Sequence, residues 1–212
     1  MEDLTDAVGS ADFTWQGGGS ASYEAAKYNN GLTLDDAHYV DTAATFMTGG
    51  TTSLLLAGWF SPDTTGLIEA QYANLLTLNA VAGIGFLAGA GGAFGIRLQK
   101  NGGWWTPIVT GNYAAGTVIH ICAYWESGDM RLALDGIEAE TSTDSWTPSA
   151  EVLSVNSEGA PISMGSASGW VDEAGVWVDP PITTAEFRRM AGSLYNGGDG
   201  IFYNGTAWVE SV

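Results

Sequence analysis

The sequence predicts an all-β, antiparallel architecture with one short helix, and three observations carry that reading. Hairpin-type turns recur along the chain, glycine supplies 30 of the 212 residues, and a single segment bears a helix-start signal. Glycine at about twice its usual share marks turns and close strand packing. Distributed hairpins favour antiparallel pairing over βαβ units.

Residues 52–60 read as the first clear strand. Residues 70–96 then run without a charge up to Arg97, long enough to span a bilayer. Six glycines (Gly83, Gly85, Gly89, Gly91, Gly92, Gly95) and polar Gln71, Asn74 and Asn79 divide this run into two or three uncharged strands with glycine turns. No basic cluster flanks it to fix an orientation. Its glycine-rich end at residues 89–95 is a turn and not a phosphate loop, because no Lys-Ser/Thr follows. Residues 95–100 lead through Asn101-Gly102-Gly103 into Trp104 and Trp105. Residues 117–125 form another strand. Residues 131–140 are a hairpin in outline, Asp135-Gly136 supplying the positive φ angles of a two-residue turn. Strands follow at 151–155 and 169–178, and residues 201–208 repeat the hairpin device around Asn204-Gly205.

The helix begins at Thr183-Thr184-Ala185-Glu186, a capping box in which the Thr183 hydroxyl accepts from the Glu186 amide while Glu186 reaches back. Phe187, Met190 and Leu194 follow at helical spacing, Pro180 and Pro181 precede, and Gly192 can close the turn.

Acidic residues outnumber basic ones 24 to 6, giving a formal charge of −18, and the pI is about 4.1. Yet 45% of the chain is hydrophobic and 14% charged, which supports a packed core and argues against disorder. Six scattered cations build no nucleic-acid footprint, and the acidic field is repelled by anionic lipid. One cysteine excludes an intramolecular disulfide. Cys122 lies in an apolar strand and reads as an inert buried thiol. The acidic start, Met1-Glu2-Asp3-Leu4, lacks the basic n-region of a secretory signal, so none is expected.

The order of motifs resembles the laminin-G-like branch of the concanavalin A-like superfamily. Asp3-Leu4-Thr5-Asp6, Gly9 and the run from Tyr28-Asn29-Asn30-Gly31 to Tyr39-Val40 are similar to its first strands. Gly58-Trp59-Phe60-Ser61-Pro62-Asp63 is similar to its Trp strand with a Pro-Asp turn. His120-Ile121, Tyr124, Gly128 and residues 132–136 resemble its passage from histidine to Asp-Gly. Val171-Asp172-Glu173-Ala174-Gly175-Val176-Trp177, Thr184-Ala185-Glu186 and Leu194-Tyr195-Asn196-Gly197-Gly198 resemble its closing signature. Val118 stands where that branch usually has Trp, and the customary Trp-x-Phe-Asp opening is missing. The resemblance implies a two-sheet antiparallel jelly-roll sandwich with one short peripheral helix over residues 1–198. Residues 199–212 are expected to add a hairpin or tail.

The same superfamily includes glucanases, which need paired carboxyls ~5–9 Å apart, one with a raised pKa. Their Glu-x-Asp-x-x-Glu strand is absent. Glu138 and Glu140 share a strand face by alternation, but a solvated face explains them; Asp172 and Glu173 point to opposite faces, and the resemblance gives Asp172 a structural role in holding turn amides. His38 and His120 lack a nucleophile elbow or an activated Cys partner. No catalytic residues are therefore assigned and no enzyme is expected. No cofactor is required; calcium is the one ion the resemblance admits, and Asp35, Asp36 and Asp41 are its weak candidate ligands.

Trp59, Trp125 and Trp177 fall in strand patterns that read as core. Trp104 and Trp105 are adjacent after a glycine turn, so one of them faces outward on a strand, where an indole stacks on a sugar or anchors a protein. The expected function is a non-catalytic interaction module. The leading reading is a virion protein, a phage head-decoration or tail-appendage piece made in the host cytoplasm, docked to capsid or tail proteins and open to homo-oligomerisation. Its alternatives are an extracellular lectin-like adhesin for cell-surface glycans and, last, a glycan hydrolase. Nucleic acid and membrane are not expected partners.

Overall fold

The structure is a computed structural model that describes residues 13–16, 20–27, 30–34, 39–42, 45, 47–63, 72–78, 81–89, 93–101, 103–105, 113–155, 168–180, 183, 186–195, 201–203 and 208–210. The early strands are β1 (Phe13–Gln16), β2 (Tyr23–Ala25), β3 (Asn30–Leu34), β4 (Tyr39–Thr42) and β5 (Ser53–Asp63). The middle ones are β6 (Tyr72–Leu78), β7 (Ala82–Ala88), β8 (Phe94–Lys100), β9 (Gly103–Trp105), β10 (Ile119–Glu126), β11 (Asp129–Leu134) and β12 (Ile137–Ser142). β13 (Ser154–Val155), β14 (Ser168–Val178), α1 (Phe187–Tyr195), β15 (Ile201–Tyr203) and β16 (Trp208–Glu210) complete the chain.

Two seven-stranded sheets stack face to face. Sheet I runs β1-β4-β13-β6-β7-β8-β9 and sheet II runs β12-β11-β10-β5-β14-β3-β2, every pairing antiparallel. The uncharged stretch from 70 to 96 becomes β6, β7 and the start of β8, paired in succession. No helix is long and apolar enough to cross a membrane among the described residues.

Alternation sorts the side chains. Leu54, Leu56 and Phe60 of β5, Ile121, Ala123 and Trp125 of β10, and Ile84, Phe86, Ile96 and Leu98 of β7 and β8 fill the core between the sheets. Buried indoles need acceptors: Trp125 Nε1 donates to the Gln99 carbonyl and Trp146 Nε1 to that of Val81, both at 3.0 Å. The alternate residues Leu55, Ala57, Cys122, Tyr124 and Ala133 lie on the outer face of sheet II, where Phe187, Met190, Ala191 and Leu194 of α1 cover them. This second layer explains why β5 and β10 are apolar on both faces.

The helix differs from expectation at both ends. The Glu186 carboxylate accepts from the Thr183 amide (3.1 Å) and hydroxyl (3.3 Å), while the Glu186 amide donates to the Thr183 carbonyl, not its hydroxyl. Gly192 lies inside the helix, which continues to Tyr195 because Leu194 is buried against sheet II and Tyr195 packs over Gly136. The β11–β12 turn has φ of 47° at Asp135 and 78° at Gly136, as its sequence requires. β15 and β16 pair with each other and, among the described residues, with neither sheet.

Candidate ligand-binding face

The two outer faces of the sandwich differ in kind. That of sheet II is closed by α1. Glu138 pins the helix there: its carboxylate takes Arg131 Nη1 at 2.8 Å from β11 and Arg188 Nε and Nη2 at 2.9 and 2.7 Å from α1. These guanidiniums, Arg188 first, hold the Glu138 carboxyl below its ordinary range.

The outer face of sheet I carries no helix among the described residues. One line of registered residues crosses all of its strands: Thr14, Asp41, Ser154, Thr77, Gly83, Gln99 and Trp104. Every member before Trp104 is polar or glycine. Ser154, Thr77 and Gln99 are buried, so each needs a partner. Ser154 Oγ donates to Asp41 Oδ1, and Thr77 Oγ1 donates to Gln99 Oε1 at 3.2 Å. The second bond passes over β7 at Gly83, where an added Cβ would stand 3.0 Å from Thr77 Cβ and 3.1 Å from its hydroxyl. Glycine thus leaves room for β6 and β8 to join across the strand between them. One step along, Asn74 and Arg97 flank Gly85 in register, and beyond them Gly95 lies opposite Leu87. A Cβ at Gly95 would meet nothing within 4 Å.

Trp104 and Trp105 occupy edge strand β9, with Trp104 opposite Gln99 on the polar line and Trp105 opposite Leu98, a core residue. Their side chains lie outside the described part of the structure, as do Asp35, Asp36 and His38. Asp41 is engaged by Ser154, and no group of three potential metal ligands occurs among the described residues.

The same-face expectation for Glu138 and Glu140 is overturned. A β-bulge between Leu132 and Ala133 sets Glu138 opposite Ala133, on the helix side, and Glu140 opposite Leu132, a core position. Sequence alternation missed the extra residue that the bulge inserts.

Sequence reasoning also missed a cluster on sheet II. Asp172, Trp59 and His120 are register mates on β14, β5 and β10. Asp172 is fully buried and its Oδ1 accepts the Glu173 amide at 3.0 Å, Glu173 taking a left-handed φ of 48° at a second bulge. The amide that Asp172 holds is thus that of its own neighbour at a strand bulge, and not one of a turn. Lys27 Nζ stands 4.7 Å from the Trp59 ring centroid. His120 is buried, which lowers its pKa to about 4, and burial pushes the Cys122 thiol up. Trp125 is in the inter-sheet core, whereas Trp59 and Trp177 pack on the helix side.

No protein-family profile matches the chain, and no characterised protein matches it by sequence. Among solved structures it is similar to domain 4 of AbnA, a GH43 extracellular arabinanase from Geobacillus stearothermophilus, in complex with arabinotriose. The TM-score is 0.63 at 16% identity over 89% of this chain and 93% of that one. The chain has the jelly-roll sandwich fold. The heptameric SAP-like pentraxin of Limulus polyphemus shares it, with a TM-score of 0.56 at 17% identity over 82% and 85% of the two chains. So does the enzymatically active domain of bacteriophage CBA120 tailspike protein 2, with a TM-score of 0.54 at 13% identity over 87% of this chain and 30% of that one. The jelly roll's neighbours thus include carbohydrate- and receptor-binding domains as well as phage tailspikes.

Proposed function

We propose that the chain is a non-catalytic recognition module of laminin-G-like type that binds a glycan on the outer face of sheet I, at its β8–β9 end. The observation that carries this reading is Trp104 on edge strand β9, at the end of the polar line across sheet I, with half-buried Arg97 and the space above Gly95 further along the neighbouring β8. A guanidinium and an edge-strand aromatic on one face suit a polyhydroxylated ligand, whose hydroxyls need polar partners and whose ring faces stack on indole. The non-catalytic half is supported by Glu138: a carboxyl held ionised between two guanidiniums is unsuited to act as a general acid. Likeness to an arabinanase domain solved with arabinotriose and to a tailspike domain favours carbohydrate as the ligand. The tailspike likeness also favours display on a virion, with the separate β15–β16 hairpin as the docking element.

A glycan array with the wild type, Trp104→Ala and Trp105→Ala tests the reading. Trp104→Ala is expected to lose binding at unchanged stability and Trp105→Ala to lose stability. A wild-type chain that binds no glycan, or a Trp104→Ala variant that binds fully, removes this assignment. Light scattering tests the display: a closed oligomer supports it, and a strict monomer counts against it.

A further inference from the structure

The C-terminal end of α1 is attached through a buried histidine. The His120 ring is 3% exposed and its Nδ1 has no hydrogen-bond partner. Trp59 flanks it at 5.1 Å between centroids and Tyr195, the last residue of α1, at 6.0 Å. Tyr195 also meets Trp59 at 5.6 Å and closes over Gly136, where an added Cβ would stand 3.0 Å from the tyrosine ring. This aromatic trio accepts a neutral imidazole. A proton on the ring would bury a cation next to an indole that already holds the Lys27 ammonium at 4.7 Å.

The charged and titratable groups around the ring come from each neighbouring element. Lys27 follows β2, while Asp172 and Glu173 lie on β14, across Trp59 from His120. Asp135, in the β11–β12 turn, spends Oδ1 on the His120 backbone amide at 2.9 Å. Tyr195 comes from α1, and Cys122 from β10 itself.

We infer that His120 is a proton-sensitive catch for helix α1: the neutral ring seats Tyr195, and protonation opens the Tyr195 end of the helix together with its packing against β15.

The folded His120 pKa of about 4 lies below the value near 6.5 of an opened ring. Opening therefore takes up a proton, and the closed state loses ground as pH falls from about 6.5 through 4. These two values multiply the opening constant about twenty-fold between pH 7 and pH 5. Glu138, held below its ordinary range, keeps Arg188 paired over that interval, so the start of the helix stays docked.

Hydrogen exchange of the full chain at pH 7 and pH 5, corrected for intrinsic rates and read by mass spectrometry, tests this. The expected result is an about twenty-fold loss of protection at the C-terminal end of α1 while β5 and β10 keep theirs, and no such loss in His120→Gln. Unchanged helix protection, simultaneous loss in β5 and β10, or an equal loss in His120→Gln would overturn the catch. Should His120→Gln fail to fold, NMR of 13C-histidine wild type decides: titration near 4 with the helix opening first supports the inference, and titration near 6.5 refutes it.

Discussion

Replacing Thr77 by Val removes the hydroxyl that crosses β7 and leaves the shape almost unchanged. Gln99 Oε1, on a residue only 4% exposed, then loses the donor 3.2 Å away. A buried acceptor left unpaired costs about 1–3 kcal/mol, so we expect a loss of about 2 kcal/mol and a Tm drop of about 4–8 °C in a chain of this size. Gln99→Met costs less, about 1 kcal/mol, because the Thr77 hydroxyl retains the Ala82 carbonyl at 3.5 Å. The double variant has neither partner to satisfy, so it should lie about 1–2 kcal/mol closer to wild type than the sum of the singles. Urea denaturation followed by circular dichroism measures all four proteins. Gly83→Ala crowds the same bond from below, since its Cβ would stand 3.0 Å from Thr77 Cβ and 3.1 Å from its hydroxyl, and it should also destabilise. Additivity within about 0.5 kcal/mol in the Thr77–Gln99 cycle would refute the idea that β6 and β8 are joined over glycine.

Other substitutions test the second sheet. Glu138→Gln should cost about 1–2 kcal/mol at pH 7 through weakened charge-assisted bonds to Arg131 and Arg188. The Glu138 pKa is lowered in the fold, so its contribution is present above about pH 4.5 and lost as pH falls through the folded value. The variant's acid limb should accordingly be shallower in a pH series of urea midpoints; an unchanged limb counts against the clamp. Gly169→Ala should cost about 3 kcal/mol or more, because φ there is +112° and the new Cβ would lie 2.0 Å from the Ser61 carbonyl oxygen. Soluble Gly169→Ala of normal Tm would show that β14 shifts freely against β5.

Much of the fold was legible because its signals are local. Asp135-Gly136 specifies its turn through backbone sterics, and the spacing of Phe187, Met190 and Leu194 specifies the buried side of α1. The bulges opposite β11 and in β14 were not legible. Each is an extra residue accommodated by the neighbouring strand; nothing within residues 137–142 announces the first, and only the isolated Gly175 hints at the second. The Glu138–Glu140 relation failed for that reason. The polar line across sheet I was equally hidden, since its members are contributed by separate strands from Thr14 to Ser154 and meet only through register. The surroundings of His120 were hidden too, because its partners come from β5 and from the end of a helix whose length is set by packing, beyond Gly192.

The alternation Ala82-Gly83-Ile84-Gly85-Phe86 in β7 also has a consequence for strand alignment during folding. With period-two geometry, a slip of one residue would turn Ile84 and Phe86 to the outside, bring Gly83 and Gly85 against the core, and strand Thr77 and Gln99 beside bulky neighbours. β7 thus acts as a key for the middle of sheet I: β6 and β8 match its two faces in one alignment only.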